Sequence, residues 1–210
     1  MPAEDSNRRP LKTRSAAWAQ HLAAILVRAG ASPNAISITS VLFAVAGAVL
    51  LLRAATLPGL LAAALCIQLR LLCNMLDGMV AIEGGLRSAT GALYNEIPDR
   101  IGDSLFIVAL GYAAAAPAVG WYGALVAAVT AYIRVLGGAL GQAQDFRGPM
   151  AKPHRMFVAT LGCIAGAVEV QWNGTHWSLL GAAWIIAIGA TLTCVTRTAA
   201  IARRLGAAGP

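Results

Sequence analysis

A cluster of polar and acidic side chains interrupts two otherwise apolar stretches of the chain. In the first stretch, Asn74, Asp77, Gly78 and Ala81 are spaced by three, four and seven residues, which places them on one face of a helix. In an apolar span each ionisable group costs about 2.5 to 3.5 kcal/mol to insert. Their accumulation at one place therefore predicts a functional site.

The second apolar stretch opens with a stripe at steps of four residues, formed by Gly91, Asn95, Asp99 and Asp103. A short connection between the two helices predicts that they are antiparallel neighbours and that their polar stripes converge. Carboxylate and amide oxygens are the ligands that Mg²⁺ and Mn²⁺ prefer, so the two stripes predict a divalent metal site. The alternative is close helix packing through the small residues of both stripes.

A basic group lies further along the chain. Arg134 falls inside an apolar span, and Arg147, Lys152 and Arg155 follow in a segment rich in Pro and Gly. Guanidinium groups hold phosphate with two parallel hydrogen bonds, so these four residues are predicted to bind a phosphorylated acceptor. The alternative is topological, because loops on the cytoplasmic side of a membrane protein are basic in any case.

The composition predicts that the polar stripes and the basic residues belong to a membrane protein. The 210 residues are 58% hydrophobic and only 12% charged, and their mean hydropathy is +0.68. The net charge of +7 comes from residues that flank apolar segments, which favours anionic lipid headgroups over nucleic acid as partner. The four cysteines lie in apolar runs without a CxxC pair, and they are interpreted as packing residues.

The elements that must position these residues are predicted to be membrane helices. A span needs about 20 apolar residues, and this length predicts an all-α integral membrane protein with six transmembrane helices. They cover roughly 35–52, 57–82, 91–115, 118–141, 156–171 and 177–196. Together they form a single membrane domain over residues 13–200, between a disordered basic N-terminus at 1–12 and a cytoplasmic tail at 201–210.

An amphipathic helix on the membrane surface is predicted to precede the spans, over Thr13 to Arg28, with Trp18, Leu22 and Ile25 at helical spacing. No cleavable secretory signal is expected at the N-terminus. Basic residues concentrate at both termini and in alternate loops. The positive-inside rule therefore places both termini and the polar cluster on the cytoplasmic side of a bacterial-type inner membrane.

The two polar stripes resemble the signature of the CDP-alcohol phosphotransferases, D-x2-D-G-x2-A-R-x8-G-x3-D-x3-D. Every spacing is kept, and five of the eight specified positions match, namely Asp77, Gly78, Ala81, Gly91 and Asp99. The resemblance implies a homodimer that moves a phosphatidyl group from CDP-diacylglycerol to a small alcohol. It also implies two divalent metals at the aspartates, and it makes Asp77 a metal ligand and Asp99 the base and a ligand.

Three signature positions differ, because Asn74 and Asn95 replace aspartates and Ile82 replaces arginine. The asparagines remain candidate metal ligands, and Glu96 is the first candidate for restoring the lost charge. A pairing of Glu96 with Arg100, four residues on, is the alternative. The residues that the resemblance implies for contact with the CDP moiety are Asn74, Asp77, Gly78, Ala81, Arg87, Gly91 and Asn95.

The leading function is transfer of a phosphatidyl group from CDP-diacylglycerol to a phosphorylated alcohol, with Mg²⁺ or Mn²⁺ as cofactor. Glycerol 3-phosphate is the first acceptor expected from the resemblance, and inositol phosphate is the second. Two alternatives remain open. One is a non-catalytic family member that binds CDP-lipid or nucleotide without turnover, and the other is a small transporter whose intramembrane acids line a path.

Overall fold

The computed structural model describes residues 16–53, 56–86 and 88–207. Within these ranges the chain forms seven α-helices and no β-strand. The short helix α1 precedes six helices that are long enough to form a bundle. Their bounds are α1 Ala17–Arg28, α2 Pro33–Arg53, α3 Leu57–Glu83, α4 Gly91–Ala113, α5 Pro117–Ala139, α6 Lys152–Asn173 and α7 Trp177–Ala207.

The apolar character of the helices fits an integral membrane protein. Within the described residues, α2, α3, α5 and α7 are long and apolar enough to cross a membrane. Helices α4 and α6 overlap the third and fifth predicted spans, but their N-terminal halves carry charged residues, which lowers their hydropathy. The all-helical membrane fold is therefore confirmed, and the count of six spans stays a prediction.

Helices α6 and α7 extend furthest beyond their predicted spans. Helix α6 begins at Lys152 because Pro153 lies at the start of its first turn, where the missing proline N–H costs no hydrogen bond. Helix α7 continues past residue 196 to Ala207, and its Ile201 is buried against Gly137 of α5. The predicted cytoplasmic tail at 201–210 therefore starts as helix.

Helix α1 packs against the polar end of α3. Its Ala19 and Ala23 are fully buried in a small cluster with Leu76 and Val80 of α3. The helix begins at Ala17, and the first residues of the predicted Thr13–Arg28 helix lie outside the described residues. Its position on a membrane surface stays a prediction.

The arrangement of α2, α3 and α4 leaves space for a site. Helix α2 packs closely on both α3 and α4, whereas the backbones of α3 and α4 approach each other closely at few points. The two helices are thus not the direct packing neighbours that the sequence suggested. Side chains still connect the two helices across this gap, since Arg70 of α3 donates to the Asp99 carbonyl and Asn74 of α3 donates to the Asp99 carboxylate of α4. An apolar core around Phe106 and Leu110 fills the remainder of the bundle.

Candidate functional site

A cavity of about 250 Å³ lies where the polar parts of α3, α4, α5 and α6 meet. Side chains from both predicted stripes and from the basic group line it. The loop before α6 closes one side with Phe146 and Ala151, and α7 contributes Arg197. The ionisable and amide residues of the lining are Asn74, Asp77, Asn95, Glu96, Asp99, Arg100, Arg134, Lys152, Arg155 and Arg197.

Asp77 is a buried carboxylate in this cavity, with 5% of its surface exposed. Its Oδ2 accepts a hydrogen bond of 2.6 Å from the Ser37 hydroxyl of α2. Within the described ranges, no basic side chain forms an ion pair with Asp77. Since buried charges are normally paired or bound to metal, Asp77 is the lining carboxylate best suited to receive a cation from solution.

Asp99 has a different environment, because nitrogen donors already surround its carboxylate. Its Oδ1 accepts a 2.7 Å hydrogen bond from Asn74 Nδ2 and an ion pair from Lys152 Nζ. Arg70 lies 3.5 Å from the same oxygen, and Arg100 lies 3.7 Å from Oδ2. Lys152 reaches Asp99 from the first turn of α6, so the pair joins α4 to α6.

A buried ion network lies beside Asp99. Asp103 pairs with Arg70 at 2.9 Å and with Arg155 at 2.8 Å, and Arg70 also donates to the Asp99 carbonyl at 3.0 Å. The Arg155 guanidinium donates in addition to the Met150 carbonyl. Both arginines are almost completely buried. The network therefore fixes the α4 backbone at Asp99 relative to α3 and α6.

Arg134 and Glu96 form an ion pair across the cavity between α5 and α4. The Arg134 guanidinium also donates to Gln144 Oε1 at 3.0 Å and lies 5.6 Å from the centre of the Phe146 ring. The other carboxylate oxygen of Glu96 is 3.8 Å from Arg100. The anionic partner that a buried Arg134 requires is thus Glu96, and the alternative pairing of Glu96 with Arg100 is present as well.

The loop before α6, residues 140–151, is stabilised by an ion-pair cluster around Asp145 and by a hydrogen bond to α7. Asp145 is buried and receives hydrogen bonds from the backbone and guanidinium of Arg147, while Arg204 of α7 pairs with it at 3.2 Å. The hydrogen bonds from the Arg147 side chain lower the pKa of Asp145 to about 2, against the opposing effect of burial. Arg197 donates to the Arg147 carbonyl and ties the loop to α7.

The structure brings most of the predicted site residues to the cavity, including both signature aspartates, the two asparagines and Glu96. Gly78 also lines it, whereas Ala81 and Gly91 do not. Of the predicted phosphate ligands, Arg147 lies elsewhere, because its side chain is 64% exposed and bound to Asp145. Arg87 falls outside the described residues.

Sequence reasoning missed Ser37, Arg70 and Arg197. Arg70 precedes Asn74 by four residues, so the helix period places it on the same face as the polar stripe. A charged residue inside an apolar span is in itself a sign of a functional site, and Arg70 could have been found by it. Ser37 and Arg197 lie on other helices, and only packing brings Ser37 of α2 to Asp77 and Arg197 of α7 to the cavity.

The cavity contains carboxylate and amide oxygens that could bind a divalent cation. Within the described residues, no group of three or more His, Cys, Asp or Glu side chains could hold a metal ion. Asp77 and Asp99 nevertheless line one cavity with the amides of Asn74 and Asn95. Mg²⁺ and Mn²⁺ accept such a mixture of carboxylate, amide and water oxygens, so the residues fit an ion that keeps several waters.

The chain is similar to phosphatidylinositol phosphate synthases along most of its length. The phosphatidylinositol phosphate synthase of Mycobacterium marinum is 31% identical over 184 residues, covering 84% of this chain and 76% of the relative. That of Mycolicibacterium smegmatis is 27% identical over 191 residues, covering 88% and 83%. No family model matches the chain.

Solved structures give the same result. The crystal structure of Mycobacterium tuberculosis phosphatidylinositol phosphate synthase with CDP-diacylglycerol bound has a TM-score of 0.73 and 25% identity, covering 89% of this chain and 94% of that chain. The same synthase in complex with manganese and citrate has a TM-score of 0.73 and 26% identity, covering 87% and 88%.

Fold and site together define a helical membrane protein with a charged cavity between its helices. With a relative above 30% identity over most of both sequences, the chain belongs to the CDP-alcohol phosphotransferase family, which includes these synthases.

Proposed function

We propose that this chain transfers the phosphatidyl group from CDP-diacylglycerol to a phosphorylated alcohol, with inositol phosphate as the leading acceptor, and releases CMP. The observation that carries the proposal is the cavity that holds Asp77 and Asp99 together with Lys152 and Arg134. The names of the relatives support inositol phosphate as acceptor. Inositol phosphate therefore replaces glycerol 3-phosphate as the first expectation.

Asp99 is the proposed base. The acceptor hydroxyl would lose its proton to the Asp99 carboxylate as its oxygen attacks the phosphorus that carries the diacylglycerol. The bond from this phosphorus to the CMP oxygen breaks, and CMP leaves with the electron pair. Held by the network of Arg70 and Asp103, the α4 backbone at Asp99 is rigid, which favours a defined geometry for proton transfer.

Asp77 would hold Mg²⁺ or Mn²⁺, with Asn74, Asn95, Glu96 and Asp99 as further candidates. When bound, the ion would neutralise charge on the phosphoryl oxygens and on the leaving group. The manganese complex of the tuberculosis synthase supports this cofactor assignment. Gly78, beside Asp77 on the cavity wall, leaves room for the CDP moiety to approach the backbone.

The phosphate of the acceptor is assigned to the basic side of the cavity. Arg134 and Lys152 line it from α5 and α6. A phosphate could replace Glu96 as the partner of Arg134, whereas Lys152 adds its positive charge while it stays paired with Asp99. Arg155 contributes positive charge from behind, since its guanidinium is bound to Asp103. We also propose that both termini and this site face the cytoplasm, and that the chain forms a homodimer in a bacterial-type inner membrane.

The test is CMP release by purified protein in detergent with CDP-diacylglycerol and Mg²⁺ or Mn²⁺. Inositol phosphate, glycerol 3-phosphate, inositol and no acceptor are compared, and the lipid product is identified by mass spectrometry. We expect inositol phosphate to stimulate CMP release most. A protein that binds CDP-diacylglycerol but releases no CMP with any acceptor would instead be a non-catalytic member of the family.

A further inference from the structure

The two aspartates of the cavity differ in what already neutralises them. Asp77 has a hydroxyl partner and, within the described residues, no basic one. Asp99 Oδ1 contacts both the Lys152 ammonium and the Asn74 amide N–H, and the Arg70 guanidinium lies 3.5 Å from the same oxygen. Burial of an uncompensated carboxylate is costly, and the cost is met by a nearby positive charge. Only Asp77 therefore still needs a cation.

Asn74 shows the same asymmetry in its hydrogen bond. Its amide nitrogen donates to Asp99, so its amide oxygen faces away from that carboxylate oxygen. An asparagine that shared a metal ion with Asp99 would have to present its oxygen to the ion. The contact as it stands makes Asn74 a donor to Asp99, and it does not complete a cation site there.

Lys152 is placed to act as a lasting counter-ion. It is the first residue of α6, so its backbone is fixed by the helix, and 20% of its side chain is exposed. A divalent ion at Asp99 Oδ1 would have to displace this ammonium and lie close to Arg70 as well. Like charges a few ångströms apart in a partly buried cavity repel strongly, and the repulsion is twice as large for a divalent ion as for a monovalent one.

We propose that the cavity binds one divalent cation, on the Asp77 side, and that the Lys152 ammonium compensates the charge of Asp99 in place of a second ion. This inference rests on the site of the proposed function. It departs from the two ions that the family resemblance implies, and it assigns the difference to residues of this chain. Lys152 accordingly limits the affinity of the cavity for metal.

The test counts bound Mn²⁺ without any substrate. Purified protein in detergent is titrated with Mn²⁺, and free Mn²⁺ is measured by its electron paramagnetic resonance signal. We expect one Mn²⁺ per chain in the wild type and at least a tenfold loss of affinity in Asp77→Asn. Lys152→Gln should bind Mn²⁺ about tenfold more tightly or bind a second ion, because Asp99 then lacks its counter-ion.

Lys152→Arg is the matched control, because it keeps the positive charge at the same position. It should bind Mn²⁺ as the wild type does. Two ions in the wild type, none in the wild type, or unchanged Mn²⁺ binding in Lys152→Gln would each overturn the inference. The Mn²⁺ titration is independent of the CMP-release assay of the proposed function. One bound ion without CMP release would contradict only the proposed function. CMP release with two bound ions would contradict only this inference.

Discussion

Arg70 of α3 crosses the bundle over Gly102 of α4, so closely that a Cβ on this glycine would lie 2.9 Å from Arg70 Cζ. The missing side chain lets the guanidinium reach both the Asp99 carbonyl and the Asp103 carboxylate. Two residues outside the family signature thus support the proposed base. The same bridge spans α3 and α4 where their backbones stay apart.

Substitution at this crossing should destabilise the protein. Gly102→Ala forces the guanidinium to move in a packed interior, and overpacking of this kind costs about 1 to 3 kcal/mol. Arg70→Met leaves Asp103 with Arg155 alone and should cost about 3 to 5 kcal/mol, as for other broken buried ion pairs. Thermal unfolding in detergent measures both.

Gly181→Ala in α7 is the control for Gly102→Ala. Nothing lies within 4 Å of a Cβ at this position, so the helix should gain about 0.5 to 1 kcal/mol from the alanine. Equal melting temperatures for Gly102→Ala and Gly181→Ala would contradict the close approach of Arg70.

Removal of the proposed base should abolish most of the turnover. Asp99→Asn keeps the shape of the side chain but cannot accept the proton, and general base catalysis contributes about 10²- to 10⁴-fold. We expect CMP release to fall by that factor while CDP-diacylglycerol still binds. Glu83→Gln, at an exposed carboxylate outside the cavity lining, should keep wild-type turnover.

The phosphate assignment separates Arg134 from Arg147. Arg134→Gln removes a guanidinium from the cavity, and a lost charged hydrogen bond of about 1.5 to 3 kcal/mol corresponds to a KM about 10- to 100-fold higher for inositol phosphate. Arg147→Gln changes an exposed side chain outside the cavity and should leave this KM unaltered. Steady-state kinetics with varied acceptor compare the two, and a similar KM in both variants would contradict the assignment.

A carboxylate at position 74 should change how the protein responds to metal. Asn74→Asp replaces the donor on Asp99 Oδ1 by a second negative charge, which repels Asp99 when no ion is bound. We expect a melting temperature lower by about 2 to 4 °C without metal, from a loss of about 1 kcal/mol. Mn²⁺ should raise it more than in the wild type. An unchanged response to Mn²⁺ would show that position 74 is remote from the ion.

The loop before α6 should loosen only in strong acid. The pKa of Asp145 in the folded protein is about 2, below the usual value of about 3.9, so its pairing stabilises the loop above pH of about 4 and is lost as the pH falls towards 2. Pepsin digestion between pH 4 and 2 should therefore show increasing cleavage within 140–151. Asp145→Asn should be cleaved readily at pH 4 already, and a pH-independent wild type would contradict this role.

The site residues that could be predicted from the sequence are those that the helix period groups on one face. A step of three or four residues returns to the same face, so Asn74 with Asp77 and Asn95 with Asp99 could be grouped without a structure. Arg70 was open to the same argument at four residues before Asn74. Ser37 and Arg197 were not, since they lie on helices other than the two that carry the polar stripes.

The helices, the apolar membrane character and the two polar stripes could be predicted without a structure, because they follow from local periodicity and from the cost of burying charge. Which charges neutralise which follows from the tertiary packing. It paired Lys152 with Asp99, Glu96 with Arg134 and Arg155 with Asp103. Each pair joins different helices, and ion pairing depends on distances that packing alone sets.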